Sequence, residues 1–230
     1  MLFNSYLFIF IFLPVTLYGY FKLGKTNPVS AKYWLALCSL TFYTWYDYRY
    51  LILLVSSILL NYLLGQKIFA KVSAGQTRQA HLYTVAGISI NLAILGFFKY
   101  ADFFISNFNH LSFSDLEPLQ IVLPLAISFF TFQQIAFLVD IKRGLVTKIE
   151  PLNYVLFIVF FPQLIAGPIV HHKEIYSQFE DRTISTFNAD NFFKGLFIFS
   201  IGLFKKVVIA DAFSDWADTG YLHANELNFF

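Results

Sequence analysis

Polar side chains are concentrated at residues 128–134, inside an otherwise apolar stretch of the chain. At helical spacing Ser128, Thr131 and Gln134 share one face, and Gln133 lies beside them. Polar groups in lipid require hydrogen-bond partners, because unsatisfied groups there cost several kcal/mol. Either the wall of a substrate tunnel or a neighbouring helix supplies those partners. The residues alone favour neither interpretation over the other.

A second unusual string runs Phe160-Phe161-Pro162-Gln163-Leu164-Ile165-Ala166-Gly167-Pro168. Two prolines and a glycine interrupt helical hydrogen bonding within an apolar stretch. Irregular backbone at membrane depth is tolerated where protein or a water-filled cavity surrounds it. The string therefore predicts a broken element that lines a cavity, and the alternative is a helix end with proline stops. The candidates for a tunnel lining are Ser128, Thr131, Gln133, Gln163, Gly167 and Pro168.

The adjacent His171 and His172 are weaker candidates. Histidine is the usual general base for taking a proton from a hydroxyl. However, adjacent residues point to different helix faces, and His171-His172-Lys173-Glu174 lacks the spacing of a zinc-binding His-Glu-x-x-His motif. We favour a solvated pair at the membrane interface. No Ser-His-Asp pattern, phosphate-binding glycine-rich loop or metal-ligand spacing is visible, so these residues do not assign a reaction or predict a metal.

The composition indicates that these residues are positioned by membrane helices. Of 230 residues, 57% are hydrophobic and 13% are charged, against roughly 45–50% and about 25% in soluble domains. A chain of this size cannot hide so much apolar surface in one water-soluble core. No basic stripe suggests a nucleic-acid partner. The sequence predicts an integral membrane protein.

Seven apolar stretches approach the length of about 20 residues that a spanning helix needs. They predict an all-α, polytopic fold with a single transmembrane domain over residues 1–230, in which the segment around Pro162–Pro168 is broken or re-entrant. The stretches are Tyr6–Phe21, Tyr33–Tyr46, Tyr50–Leu64, Leu82–Phe98, Ile121–Val139, Tyr154–Val170 and Phe197–Phe213.

The distribution of Lys and Arg predicts the orientation. The loops after the first, third and fifth stretches hold nine basic residues, whereas the N-terminus and the loops after the second and fourth hold two. The positive-inside bias then places the N-terminus outside and the three basic loops in the cytoplasm. Lys173, Arg182 and Lys194 fall in a loop that simple alternation would place outside. Either acidic neighbours allow that loop to lie outside, or the Pro162–Pro168 segment is re-entrant and returns the loop to the cytoplasm. We favour re-entry.

Several strings, in order along nearly the whole chain, resemble the alginate O-acetyltransferase type of membrane-bound O-acyltransferase. The most specific are Leu123-Pro124-Leu125-Ala126-Ile127-Ser128-Phe129-Phe130-Thr131-Phe132-Gln133 and Phe161-Pro162-Gln163-Leu164-Ile165-Ala166-Gly167-Pro168. Shorter matches are Phe3-Asn4-Ser5-Tyr6-Leu7-Phe8, Phe42-Tyr43-Thr44-Trp45, Gly96-Phe97-Phe98-Lys99-Tyr100 and Gly202-Leu203-Phe204-Lys205-Lys206. An ordered set of strings is more specific than any one of them.

The resemblance implies an acyltransferase with many helices around a central funnel. In that family an acyl group, usually acetyl, arrives from the cytoplasmic side and reaches a hydroxyl acceptor outside. The acyl donor, acetyl-CoA or another acyl carrier, is expected as a substrate, and no bound cofactor is expected. The resemblance also implies the bacterial inner membrane, contact with membrane lipid, periplasmic acetyltransferase partner proteins and a polysaccharide acceptor such as alginate.

One departure from the family pattern concerns the catalytic residue. Family members are about twice as long, and their invariant histidine lies in the second half, beyond Phe230; none of the five histidines here matches its motif. We therefore expect an N-terminal portion that is inactive alone, either a truncated product, a gene fragment or one piece of a split gene. In the last case a second chain would supply the C-terminal half. A transporter or flippase is the alternative from another class, although no acidic residue occupies a helix centre. A non-catalytic remnant or scaffold is a third.

Overall fold

The computed structural model describes residues 1–112, 116–165, 167 and 172–222. Within them all regular secondary structure is helical, as the sequence predicts. The α-helices are α1 (Leu13–Gly24), α2 (Pro28–Thr44), α3 (Tyr50–Ser73), α4 (Thr77–Ser112), α5 (Ile127–Lys142), α6 (Pro151–Val159), α7 (Phe161–Leu164), α8 (His172–Glu180), α9 (Ala189–Phe204) and α10 (Asp211–Leu222). π-Helical segments at Phe8–Phe12 and Lys205–Ala210 precede α1 and α10, and Arg182–Ser185 is a 3₁₀ turn.

Two of these helices have the length and apolar composition to cross a membrane. They are α3, with 24 residues, and the stretch Thr77–Leu111 of α4, with 35. Both extend well past the boundaries predicted from hydropathy. In the part of the chain that the structure describes, no other helix meets both criteria, so the structure supports a membrane-capable helical protein without establishing seven crossings.

Helices α3, α4 and α5 pack together and form the largest part of the core. Leu54 of α3 and Phe137, Leu138 and Ile141 of α5 are all at most 1% exposed. Gly87 of α4 allows a close approach to α5, because a Cβ atom there would lie 2.6 Å from Leu138 Cδ1. In the remaining core, α2 packs against α1, α6 and α7, and Phe8 of the N-terminal π-helical segment is buried with them.

The loops of the bundle meet at two opposite ends. At one end Lys32 Nζ donates to Asn153 Oδ1 over 2.9 Å, and Lys142 Nζ lies 2.9 Å from His81 Nδ1. At the other end the Tyr50 hydroxyl donates to the Val122 carbonyl over 2.6 Å. The loops that follow α1, α3 and α5 therefore lie together, and those that follow α2 and α4 lie opposite.

The predicted segment Ile121–Val139 is helical only from Ile127 onward. Residues 116–124 form no regular element, and Gln120 and Ala126 have positive φ values of 51° and 58°. Pro118 and Pro124 lack the backbone N–H that a helix requires, which explains the late start. The stretch does contain a helix, but that helix begins six residues later than predicted and ends three residues later, at Lys142.

The predicted segment Phe197–Phe213 lies in the continuous stretch formed by α9, the π-helical segment and α10. In this stretch, as far as the structure describes it, no side chain is buried. Within it, Lys206 and Asp211 form an ion pair. The five-residue spacing of π-helical hydrogen bonds brings these two residues one above the other.

Candidate functional site

The helical conformation is interrupted at Phe160, between α6 and α7. Phe160 has φ −52° and ψ 106°, which is outside the helical region. Pro162 explains the break, since it has no N–H to donate to the Ile158 carbonyl and its ring would collide with that group. The sequence predicts a break around Pro162–Pro168, and the described residues place its start two positions earlier.

Two side chains from other helices bind the backbone on either side of this break. The Phe161 N–H of α7 donates to Ser39 Oγ of α2 over 3.3 Å. Gln133 Nε2 of α5 donates to the Phe157 carbonyl of α6 over 3.0 Å. Ser39 and Gln133 are both fully buried, so water does not compete for these backbone groups.

Gln163 and Gly167 lie next to each other just after the break. Gln163 is 8% exposed, and the Gly167 N–H donates to its carbonyl over 2.9 Å. A Cβ atom at Gly167 would lie 2.8 Å from both the carbonyl oxygen and the Cα of Gln163. A side chain at Gly167 would therefore require the backbone to move.

A separate group of polar side chains joins α3, α4 and α5; we call Ser57, Asn61, Asn91 and Gln134 the amide network. Asn61 and Asn91 exchange hydrogen bonds of 3.1 and 2.7 Å between their amides. Gln134 Oε1 accepts from Ser57 Oγ at 2.8 Å and from Asn61 Nδ2 at 2.6 Å. All four side chains are at most 4% exposed. They hold three helices in register.

The predicted tunnel-lining residues separate into different surroundings. Gln133 binds the backbone of α6, whereas its neighbour Gln134 binds side chains of α3. Thr131 is 2% exposed, and Ser128 is half-buried. Gln133 Oε1 and Gln134 Nε2 have no hydrogen-bond partner among the described residues.

Two other candidates can be located only in part. Pro168 and His171 lie outside the described residues. His172 is the first residue of α8, and its side chain is likewise outside them. The prediction for these positions is therefore unchanged.

Sequence reasoning did not single out Ser57, Asn61 and Asn91. Their signal was present, because Ser57 and Asn61 are spaced four apart inside the apolar α3 and Asn91 interrupts the apolar α4. Such residues in membrane segments usually form contacts between helices.

A cavity of about 300 Å³ opens at the end of the bundle where the loops after α1 and α5 meet. Its walls carry both signs of charge. Lys148 and Glu150 form an ion pair there, and the hydrogen bond raises the pKa of Lys148. Burial lowers the pKa of Lys32, while the nearby Glu150 and Glu180 oppose that effect. The lining residues are Tyr20, Pro28, Val29, Lys32, Lys148, Glu150, Phe179, Glu180, Asp181 and Ser185.

Comparisons with known proteins match nearly the whole chain. The sequence profile of MBOAT, the membrane-bound O-acyltransferase family, matches residues 8–228. The chain is 46% identical, over 100% of its length and 48% of the relative's, to the peptidoglycan O-acetyltransferase of Helicobacter pylori. It is 35% identical, over 95% of its length and 41% of the relative's, to the probable alginate O-acetylase AlgI of Pseudomonas aeruginosa. It thus spans about half the length of these relatives. No solved structure matches it significantly.

Proposed function

The chain belongs to the membrane-bound O-acyltransferase family, and from that premise we propose that it forms the N-terminal part of an enzyme that acetylates hydroxyl groups of a cell-surface glycan. The observation that carries this proposal is the family match over residues 8–228. The relatives named for peptidoglycan and alginate acetylation both transfer acetyl groups to glycans, which supports the reaction class.

Peptidoglycan is our first choice of acceptor and alginate the second. The peptidoglycan O-acetyltransferase shares 46% identity over the whole chain, whereas the alginate O-acetylase shares 35% over 95% of it. The acceptor hydroxyl would attack the acyl carbonyl of the donor, acetyl-CoA or another acyl carrier, while a general base takes its proton. The carrier would leave, and an acetyl ester would form on the glycan. The expected general base is a histidine beyond residues 1–230.

We propose that the broken segment enters the membrane and returns to the same end. Helix α6 has nine residues, and it therefore extends about 14 Å into a hydrocarbon core about 30 Å thick. After the break, Glu180 and Asp181 line the same cavity as Lys32 and Lys148, which precede α6 in the chain. This shared cavity supports re-entry over a full crossing.

The same geometry supports the orientation that we propose. The three loops rich in Lys and Arg meet at one end of the bundle, as the positive-inside bias requires if that end is cytoplasmic. The N-terminus then lies outside in a bacterial inner membrane. The charged cavity at the cytoplasmic end would be the side from which the acyl donor arrives. A periplasmic partner protein, a polysaccharide acceptor and a chain that supplies the remaining half complete the proposed system.

The proposed enzyme also needs a tunnel for the acyl group, and residues near the helix break are candidates for its lining. Gln163 and Gly167 follow a helix break deep in the fold, where irregular backbone needs polar surroundings. Gln133 Oε1 has no partner among the described residues and is available to accept a hydrogen bond. We propose that these groups, with Ser128 and Thr131, form part of the tunnel wall, together with Pro168.

The test is an acetyl-transfer assay on membranes that contain the protein as the cell makes it. Acetyl-labelled donor is supplied with peptidoglycan fragments or with alginate oligosaccharides, and labelled ester on the glycan is measured against protein-free membranes. We expect label on at least one acceptor. No label on either acceptor contradicts the proposal, and movement of a substrate without covalent change would favour a transporter.

Gln163→Ala tests the tunnel within the same assay. Because Gln163 is expected to contact the substrate path, its loss should lower acetylation by roughly tenfold or more while membrane abundance stays within about twofold. Ser57→Ala, a buried substitution in the amide network, is the matched control and should retain most activity. Equal losses of activity and abundance for Gln163→Ala would mark Gln163 as structural.

A further inference from the structure

We infer that Ser39 and Gln133 are positioning residues that together replace one backbone hydrogen bond lost at the helix break; we call this pair the backbone clamp. Sequence similarity assigns no such role to either residue. The inference rests on the proposed function for its catalytic consequence, but the clamp itself stands on contacts that can be tested without any reaction.

In an α-helix each N–H donates to the carbonyl four residues earlier. An uninterrupted helix through this region would therefore pair the Phe161 N–H with the Phe157 carbonyl. The conformation of Phe160 prevents that bond. It leaves one donor and one acceptor unpaired inside the protein, which is as unfavourable as the loss of a hydrogen bond.

The two bonds of the clamp satisfy those same two groups. Ser39 Oγ accepts a hydrogen bond from the Phe161 N–H, and Gln133 Nε2 donates one to the Phe157 carbonyl. Ser39 is oriented for this task, because its own hydroxyl proton goes to the Leu35 carbonyl at 2.8 Å. Its remaining lone pairs then face the donor. The two side chains come from α2 and α5, so the break depends on three helices being in place.

Packing of the Phe161 side chain also holds the helix break in place. Phe161 is 3% exposed and its ring lies 5.3 Å from the rings of both Phe12 and Phe42. The ring anchors α7, while the clamp satisfies the backbone. Gln163 and Gly167 follow within six residues, so the position of the proposed tunnel wall depends on where the break is held.

Hydrogen exchange tests the clamp directly. Exchange is followed by mass spectrometry in peptides that cover residues 160–165 of the purified protein in lipid nanodiscs. Thr and Val are isosteric, but only Thr keeps the hydroxyl that Phe161 needs. We expect Ser39→Val to speed exchange at this segment roughly tenfold and Ser39→Thr to stay within about threefold of the natural protein. Equal exchange in the two variants would overturn the inference.

Gln133 and Gln134 supply a matched pair for the other half of the clamp. They are adjacent, equally buried and on one helix, but only Gln133 touches the break. Gln133→Met should speed exchange in residues 160–165 roughly tenfold, whereas Gln134→Met should leave it unchanged. If both variants raise exchange equally, the effect is general loosening and the clamp is refuted.

Gln133→Glu allows a second test of the clamp that remains informative even if the Met variant does not fold. A carboxylate cannot donate to the Phe157 carbonyl, but a protonated carboxyl can. Relative to the natural protein at each pH, protection of residues 160–165 should therefore rise as the pH falls. Gln134→Glu should show no such change in this peptide. A flat response for Gln133→Glu, or the same response for both, contradicts the clamp.

Acetyl transfer then separates the clamp from the proposed function. Per molecule in the membrane, Ser39→Thr should keep most of the activity, and Ser39→Val should lose roughly tenfold. Expected exchange with no acetylation by the natural protein would refute the proposed function and leave the clamp. Normal acetylation in Ser39→Val, despite faster exchange, would refute the positioning role.

Discussion

The backbone clamp and the amide network each contain one serine and one glutamine, all at most 4% exposed, yet they bind different groups. In the clamp, Ser39 and Gln133 bind the backbone of a broken segment. In the network, Ser57 and Gln134 bind side chains between intact helices. The difference shows that residue type and burial do not determine what a polar side chain does in this fold.

Redundancy is the physical difference between the two regions. Gln134 Oε1 accepts two hydrogen bonds, so it retains one if the other donor is removed. Among the bonds described at the break, the Phe161 N–H and the Phe157 carbonyl each have one side-chain partner. We therefore expect single substitutions to have sharper effects at the break, except at the residue on which the whole network depends.

That residue is Asn61, and its loss should have the largest effect. Its Nδ2 contacts the Ser57 carbonyl, Asn91 Oδ1 and Gln134 Oε1. Asn61→Leu leaves buried amide groups unsatisfied and should lower the free energy of unfolding by about 2–4 kcal/mol. Denaturant-induced unfolding in detergent measures this. Asn107→Leu, on the exposed part of α4, is the control, and an equal loss there would contradict a central role for Asn61.

Gly167→Ala should have an intermediate effect, because its Cβ would meet the backbone of Gln163, which cannot turn away. We expect a loss of about 1–3 kcal/mol in the free energy of unfolding. Gly96, in α4, has open space at the corresponding position, and Gly96→Ala should be neutral or stabilising by up to about 1 kcal/mol. The same unfolding assay compares them. Similar effects at both glycines would show that the break is no more constrained than the bundle.

The smallest expected effect is the difference between two serine substitutions. Ser39→Ala leaves the Phe161 N–H without its partner and should destabilise by about 1–2 kcal/mol. Ser57→Ala leaves Gln134 Oε1 bound to Asn61 and should cost about 0.5 kcal/mol. Unfolding midpoints of the two variants, measured side by side, give the difference. A larger loss for Ser57→Ala would reverse the proposed contrast in redundancy.

The break was predictable because its cause is local. Pro162 lacks an N–H wherever the chain is placed, so any helix through it must be interrupted. The start of α5 was predicted too early for a related reason, since the apolar stretch predicted from Ile121 includes Pro124, which lacks an N–H. Gln134 was recognised as a polar group in need of partners. Its partners were not, because Ser57 and Asn61 are 77 and 73 positions away in the sequence.

The sequence by itself determined the membrane character of the chain, its helical class, its family and the presence of a helix break. These follow from composition, local spacing and ordered motifs. Tertiary structure decided which glutamine holds the break and which joins the bundle. Adjacent residues on a helix differ by about 100° in direction. Only the rotation of α5 between its neighbours settles that Gln133 meets the Phe157 carbonyl and Gln134 meets Ser57 and Asn61.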